Sequence, residues 1–126
     1  MAEARVIYKV LTHASWHAMQ QTGKFEGSED DKRDGFIHLS TAVQLPGTLS
    51  KHFSGQRDLF LLAIDAARFD ENDTLKWERS RDQQLFPHLY QPLSLSSVHD
   101  ARPLPDAHDA RLLFCTNLNS TQVKAS

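Results

Sequence analysis

Polar and apolar positions alternate near the start of the chain. The pattern predicts a first strand over residues 5–11, rich in Val6, Ile7, Tyr8 and Val10, with Lys9 on the face opposite Tyr8 and Val10. The period then changes. Trp16 and Met19 share one helical face, Thr12 or Ser15 can cap the start, and Gly23 can close the end. Residues 24–35 contain Gly27, Ser28 and mixed charges without a period, which predicts a mobile polar loop. A long loop in a small domain is often functional. Residues 36–39 read as a short strand. A second helix is expected from Ser40 or Thr41, with Thr41 and Gln44 as a capping box, shortened or kinked by Pro46 and Gly47.

Residues 58–65, DLFLLAID, form the strongest apolar run and predict a central strand covered on both faces. Residues 74–79 alternate, with Leu75 and Trp77 on one face. Residues 86–90 hold Pro87 and precede Pro92, so they form a short strand or a turn. Residues 98–104 read as one more strand. The order of elements predicts an α+β fold with two early helices and an antiparallel-rich sheet. Residues 1–114 are expected to form one domain and residues 115–126 a polar tail that frays.

Composition narrows the function classes. A chain of 126 residues suits one domain and buries roughly two thirds of its unfolded surface without staples. The formal net charge of −2 provides no basic field for DNA or long RNA, although a single small nucleotide is compatible with it. Protonating all seven histidines would carry the charge from −2 to +5. The protein should therefore behave differently below about pH 6.5. The lone Cys115 allows no internal disulfide and no cysteine zinc cluster, which fits a reducing compartment. The opening MAEARVIYKVLTHASWH lacks the basic lead and apolar core of a signal peptide. No apolar stretch has the length of a membrane span. The expectation is a soluble, cytoplasmic protein with no membrane partner, a monomer.

Two segments carry the best candidate chemistry. In GFIHLS, Gly35 permits a tight entry turn, and Phe36, His38 and Ser40 face one way while Ile37 and Leu39 face the other. An imidazole and a hydroxyl at a strand end can hold phosphate or ribose, or move a proton. A core histidine bonded to a carbonyl, followed by an N-cap serine, gives the same pattern. In FPHLY, Phe86, His88 and Tyr90 share a face, which suits either a stacking platform or an aromatic core. The two segments repeat one scheme: an aromatic residue, any residue, His, Leu, then a hydroxyl residue. Glu78 lies opposite Trp77 and beside Lys76, as an acid or base or as part of a solvated face. His13 and His17 at i, i+4 spacing could meet a metal but lack a third ligand nearby, and a solvated face explains them. Cys115, in LLFCT, reads as inert packing.

Together, IYKV (7–10), GFIHLST (35–41), FLLAID (60–65), LKWE (75–78) and FPHLY (86–90) resemble a family of short bacterial proteins classed as a domain of unknown function. That family is similar in turn to the ADP-ribosyltransferase superfamily, within it to the RNA 2′-phosphotransferase branch. The resemblance implies a twisted, split sheet gripping NAD or an ADP-ribosylated substrate. It implies that His38 and Ser40 hold ribose or phosphate, that Tyr8 and Tyr90 stack on a ring, and that Lys9 and Arg33 contact phosphate. His88 would be a donor or general base, and Glu78 would stabilise an oxocarbenium ion. NAD would be a substrate, and no metal is expected. The chain departs from that outline at Tyr8 and Lys9, where the first strand of the superfamily carries histidine or arginine, and at Pro46. Glu78 is only the nearest counterpart of the late glutamate. Two other readings stand beside this one: a non-catalytic module for a metabolite or protein, and a metal-dependent hydrolase using His38, His88 and Asp34.

Overall fold

The computed structural model describes residues 6–70, 72–80 and 83–106. The expected polar tail, with Cys115, lies outside these residues, as does Arg5.

The strands pair antiparallel throughout, in three small sheets. The run DLFLLAID forms the long strand β4 (Arg57–Asp65). It lies between β1 (Val6–Thr12) and β8 (Val98–Asp106). Its alternation explains why it is central. Leu62 and Ile64 join Ile7, Leu11 and Met19 in one core, while Leu59 and Leu61 join Val10, Leu45, Leu49 and Leu104 in a second. Helix α1 (His13–Thr22) covers the first core through Met19, and helix α3 (Leu45–His52) covers the second through Leu45 and Leu49. Leu62 and Ile64 are fully buried. Burying each such side chain stabilises by about 1.5–3 kcal/mol.

The second sheet is β3–β6–β5, made of β3 (Ile37–His38), β6 (Leu85–Leu89) and β5 (Leu75–Arg79). A third, two-stranded piece pairs β2 (Lys24–Phe25) with β7 (Leu93–Ser94). The two larger sheets meet at one seam. Ser40 bridges to Tyr8 of β1, with Tyr8 N–H donating to Ser40 C=O (2.7 Å) and Ser40 N–H to Tyr8 C=O (3.0 Å). Two residues earlier the same segment pairs with β6. GFIHLS therefore ties one sheet to the other.

Two expectations are corrected. Residues 24–35 are not a loop. They hold β2 and a third helix, α2 (Glu29–Asp34). The Ser28 side chain accepts from Asp31 N–H, and Asp31 accepts from Ser28 N–H, so a reciprocal cap starts a helix with no apolar face. Gly35 closes it at φ +90°, a conformation that favours glycine. The reciprocal pair Thr41–Gln44 forms as expected, at 3.1 and 3.2 Å, but it closes a turn and α3 begins only at Leu45. Pro46 then sits in the first turn, where its missing N–H is not needed, rather than interrupting the helix.

Candidate functional site

The two histidines stand directly opposite each other. His38 of β3 and His88 of β6 are register partners, with ring centroids 5.7 Å apart and planes at 71°. Phe36 stacks on His88 at 4.0 Å and 21°, and also contacts the rings of His38 (4.7 Å) and Tyr90 (5.2 Å). Period-two alternation puts all four rings on one face, while Ile37 and Leu89 point into the core.

Each imidazole has its own carboxylate. His38 Nδ1 lies 2.6 Å from Asp31 Oδ1, and its Nε2 lies 3.0 Å from Asp34 Oδ2. Carboxylate oxygens only accept, so in the hydrogen bond to Asp31 the His38 Nδ1 is the donor. His88 Nδ1 lies 2.7 Å from Glu78 Oε1, and the Tyr90 hydroxyl donates to the same oxygen at 2.7 Å. In the neutral ring, Nδ1 as the donor leaves Nε2 as the acceptor.

A buried ion pair supports the His38 side. Lys9 Nζ donates to Asp31 Oδ2 (3.1 Å) and Oδ1 (3.4 Å) and to the His38 carbonyl (2.9 Å). Asp31 is 2% exposed and Lys9 9%. Burial pushes the Asp31 carboxyl up. The His38 ring, the Lys9 ammonium and the Ser28 and His38 N–H groups outweigh it and hold the carboxyl far below the usual range. Burial pulls the Lys9 ammonium below its ordinary range, against the opposing pull of Asp31. Bonds from His88, then from Tyr90, hold Glu78 below the usual carboxylate range, and Glu78 in turn raises the Tyr90 phenol. Arg33 lowers Asp34.

Beside these groups lies a cleft of about 420 Å³, within the size range of small-molecule sites. Tyr8, Lys9, Arg33, His38, Ser40, Phe86 and His88 all line it, together with Thr48 and Lys51, which the sequence patterns do not mark. Burial pushes the half-buried Tyr8 phenol up. Ser40 Oγ lies 2.8 Å from Thr48 Oγ1. Arg33 is exposed and bonded to Asp30 (3.0 Å) and Asp34 (3.1 Å). Glu78 and Tyr90 touch His88 or its carboxylate but are not part of the lining. Lys9 Nζ spends its donors on Asp31 and the His38 carbonyl, and Glu78 meets the cleft only by way of its bond to His88.

Asp31 is the main residue that the sequence reading missed. Its one signal was the S-x-x-D spacing from Ser28, three residues ahead of it. His13 and His17 are exposed on α1, with the His13 ring 6.0 Å from Phe60. Among the described residues, no group of three or more His, Cys, Asp or Glu side chains is arranged to hold a metal ion, and no helix is long and apolar enough to cross a membrane.

These features define a class: an antiparallel α+β domain with a cleft at the seam of two sheets and a pair of histidine–carboxylate couples beside it. The chain belongs to the family described as "Protein of unknown function (DUF952)", whose profile matches residues 10–101. It is similar to protein CC0527 from Caulobacter crescentus. The X-ray structure of that protein is 47% identical, with a TM-score of 0.75, over 79% of this chain and 85% of that one. Its solution NMR structure is 48% identical, with a TM-score of 0.71, over 79% and 84%. No curated protein matches the chain.

Proposed function

We propose that the cleft binds NAD, ADP-ribose or a related nucleotide, and that His88 acts there as a general base for transfer or hydrolysis at the nicotinamide ribosyl bond. The observation that carries this reading is the in-register His38–His88 pair beside the cleft, with a carboxylate on each ring. A plain binding module has no need for two oriented imidazoles. The lining also suits a nucleotide. Tyr8 and Phe86 offer aromatic surface, Ser40 and Thr48 offer hydroxyls, and Arg33 and Lys51 supply positive charge for phosphate.

In this scheme the N-glycosidic bond breaks with its electron pair leaving on nicotinamide. The acceptor oxygen bonds to the ribosyl carbon, and its proton passes to His88 Nε2. Glu78 holds the ring in the required tautomer, and His38 donates a hydrogen bond to ribose or phosphate in exchange for its contact with Asp34. The seam at Tyr8 and Ser40 supports an arrangement like that of the ADP-ribosyltransferases, split sheets with the substrate between them.

A thermal-shift panel of NAD, ADP-ribose, nicotinamide and simple nucleotides tests binding. A ligand at a hundred times its dissociation constant stabilises by about 2.7 kcal/mol, a shift of several degrees for a domain of this size. The expected response is to NAD or ADP-ribose, lost in His38→Ala. Binding without nicotinamide release on prolonged incubation would leave a binding module. No shift with any nucleotide would overturn the reading.

A further inference from the structure

Strand β5 is the edge of its sheet, and among the described residues no strand pairs with its outer side. Its sequence is Leu75–Lys76–Trp77–Glu78–Arg79. Backbone hydrogen bonds at its two ends fix which groups face out. Tyr90 N–H donates to Thr74 C=O, and Ser80 N–H donates to Gln84 C=O, so Thr74 and Ser80 turn toward the neighbouring strand and its continuation. In an antiparallel ladder the direction alternates residue by residue. Lys76 and Glu78 therefore also turn inward, and Leu75, Trp77 and Arg79 present their N–H and C=O groups to the outside.

We propose that this edge binds a second copy of the chain, antiparallel, centred on Trp77. The sequence is complementary to itself in that register. Trp77 faces Trp77, Leu75 faces Arg79, and the outward groups of all three residues can exchange up to about six hydrogen bonds. Lys76 falls opposite Glu78 at both non-hydrogen-bonded positions, where facing side chains are closest. One register therefore satisfies backbone and charge together. Any slip by two residues sets Lys76 or Glu78 against the wrong partner. Lysine on an edge ordinarily discourages pairing; here Lys76, held at 3.2 Å by the exposed Asp73 of its own chain, would exchange that contact for Glu78 of the second copy. Trp77 is 38% exposed on the face away from the histidines, so two indoles would cover each other. Both bonds to Glu78 fall on Oε1, leaving Oε2 to receive Lys76 of the second copy. Each copy would then bring an ammonium to the carboxylate that holds the other's His88. Five residues per edge bury less than a standard interface, so the dimer is concentration-dependent rather than permanent.

Sedimentation velocity of the full chain at rising concentration tests this. The parent should climb from monomer toward dimer mass. Lys76→Glu places acids opposite acids, and Glu78→Lys places ammonium groups opposite each other, so each variant alone should stay monomeric. An equimolar mixture of the two restores both opposite-charge pairs and should associate again. A parent that remains a monomer throughout overturns the proposal. So does a mixture no more associated than its components when circular dichroism shows both folded. Should Glu78→Lys fail to fold, Trp77→Pro serves instead. It removes an outward N–H without touching the β5–β6 bonds, and association equal to the parent's would overturn the proposal.

Discussion

Asp31 accepts from Lys9, from the His38 ring and from two backbone N–H groups, although its own helix contains no apolar residue. One carboxylate thus fixes a helix, a buried ammonium and a candidate functional imidazole. The network gives α2 the anchorage that its sequence lacks.

The first prediction concerns that buried pair. Asp31→Ala leaves the Lys9 ammonium buried without its counter-charge, so it should destabilise by about 3–5 kcal/mol in denaturant melts. Lys9→Met with Asp31→Leu removes both charges. It should cost clearly less than the sum of the single changes, because neither charge is then left alone. Additive costs would show that the two groups act independently.

Acid should unfold the protein through the same carboxylates. Asp31, Asp34 and Glu78 all have folded-state values below their ordinary ones. Groups of that kind contribute stability that is fully present above the unfolded value, about pH 4, and is lost as pH falls through the folded value. Stability should fall progressively below about pH 4, and Asp31→Asn should flatten that slope. An equal slope in parent and variant would remove Asp31 from the account.

The chain has two tyrosines, Tyr8 and Tyr90. Burial raises the first and Glu78 raises the second. An ultraviolet phenolate titration should therefore show both ionising above the ordinary range. In Glu78→Gln one of the two should drop back toward it while the other stays. An unchanged titration would mean that the Tyr90–Glu78 bond does not persist in solution.

Catalysis by His88 oriented through Glu78 predicts a split between turnover and binding. Glu78→Gln should lower the rate of nicotinamide release about 10²-fold or more while leaving KM for NAD nearly unchanged, because Glu78 is not part of the cleft lining. A rise in KM with unchanged kcat would assign Glu78 to substrate binding instead.

What could be read from the sequence follows from the range of the forces involved. Strands β1, β4 and β5 were legible because alternation and apolar runs are local signals of burial. The double cover of β4 followed from DLFLLAID. Helix α2 was hidden because EDDKRD has no apolar period and its anchor, Lys9, is twenty-two residues from Asp31. Pro46 reads as an interruption because the local cap signal lies at Thr41 and Gln44, ahead of the helix that begins at Leu45. The kinship of GFIHLS and FPHLY was visible in sequence. Their pairing was not, since cross-strand register between segments fifty residues apart is set by the ladder and not by either segment. The partners of Lys9 and Glu78 were hidden for a similar reason. The sequence shows which face a side chain takes but not what already occupies that face.

The central claim is that a nucleotide binds where His38 and His88 meet. Its most direct test is a titration of the full chain with ADP-ribose, following the ring signals of the seven histidines by NMR. The account predicts saturable shifts of His38 and His88, with His13 and His17 on α1 unmoved. Saturable shifts confined to other histidines, or none at any concentration, would contradict it.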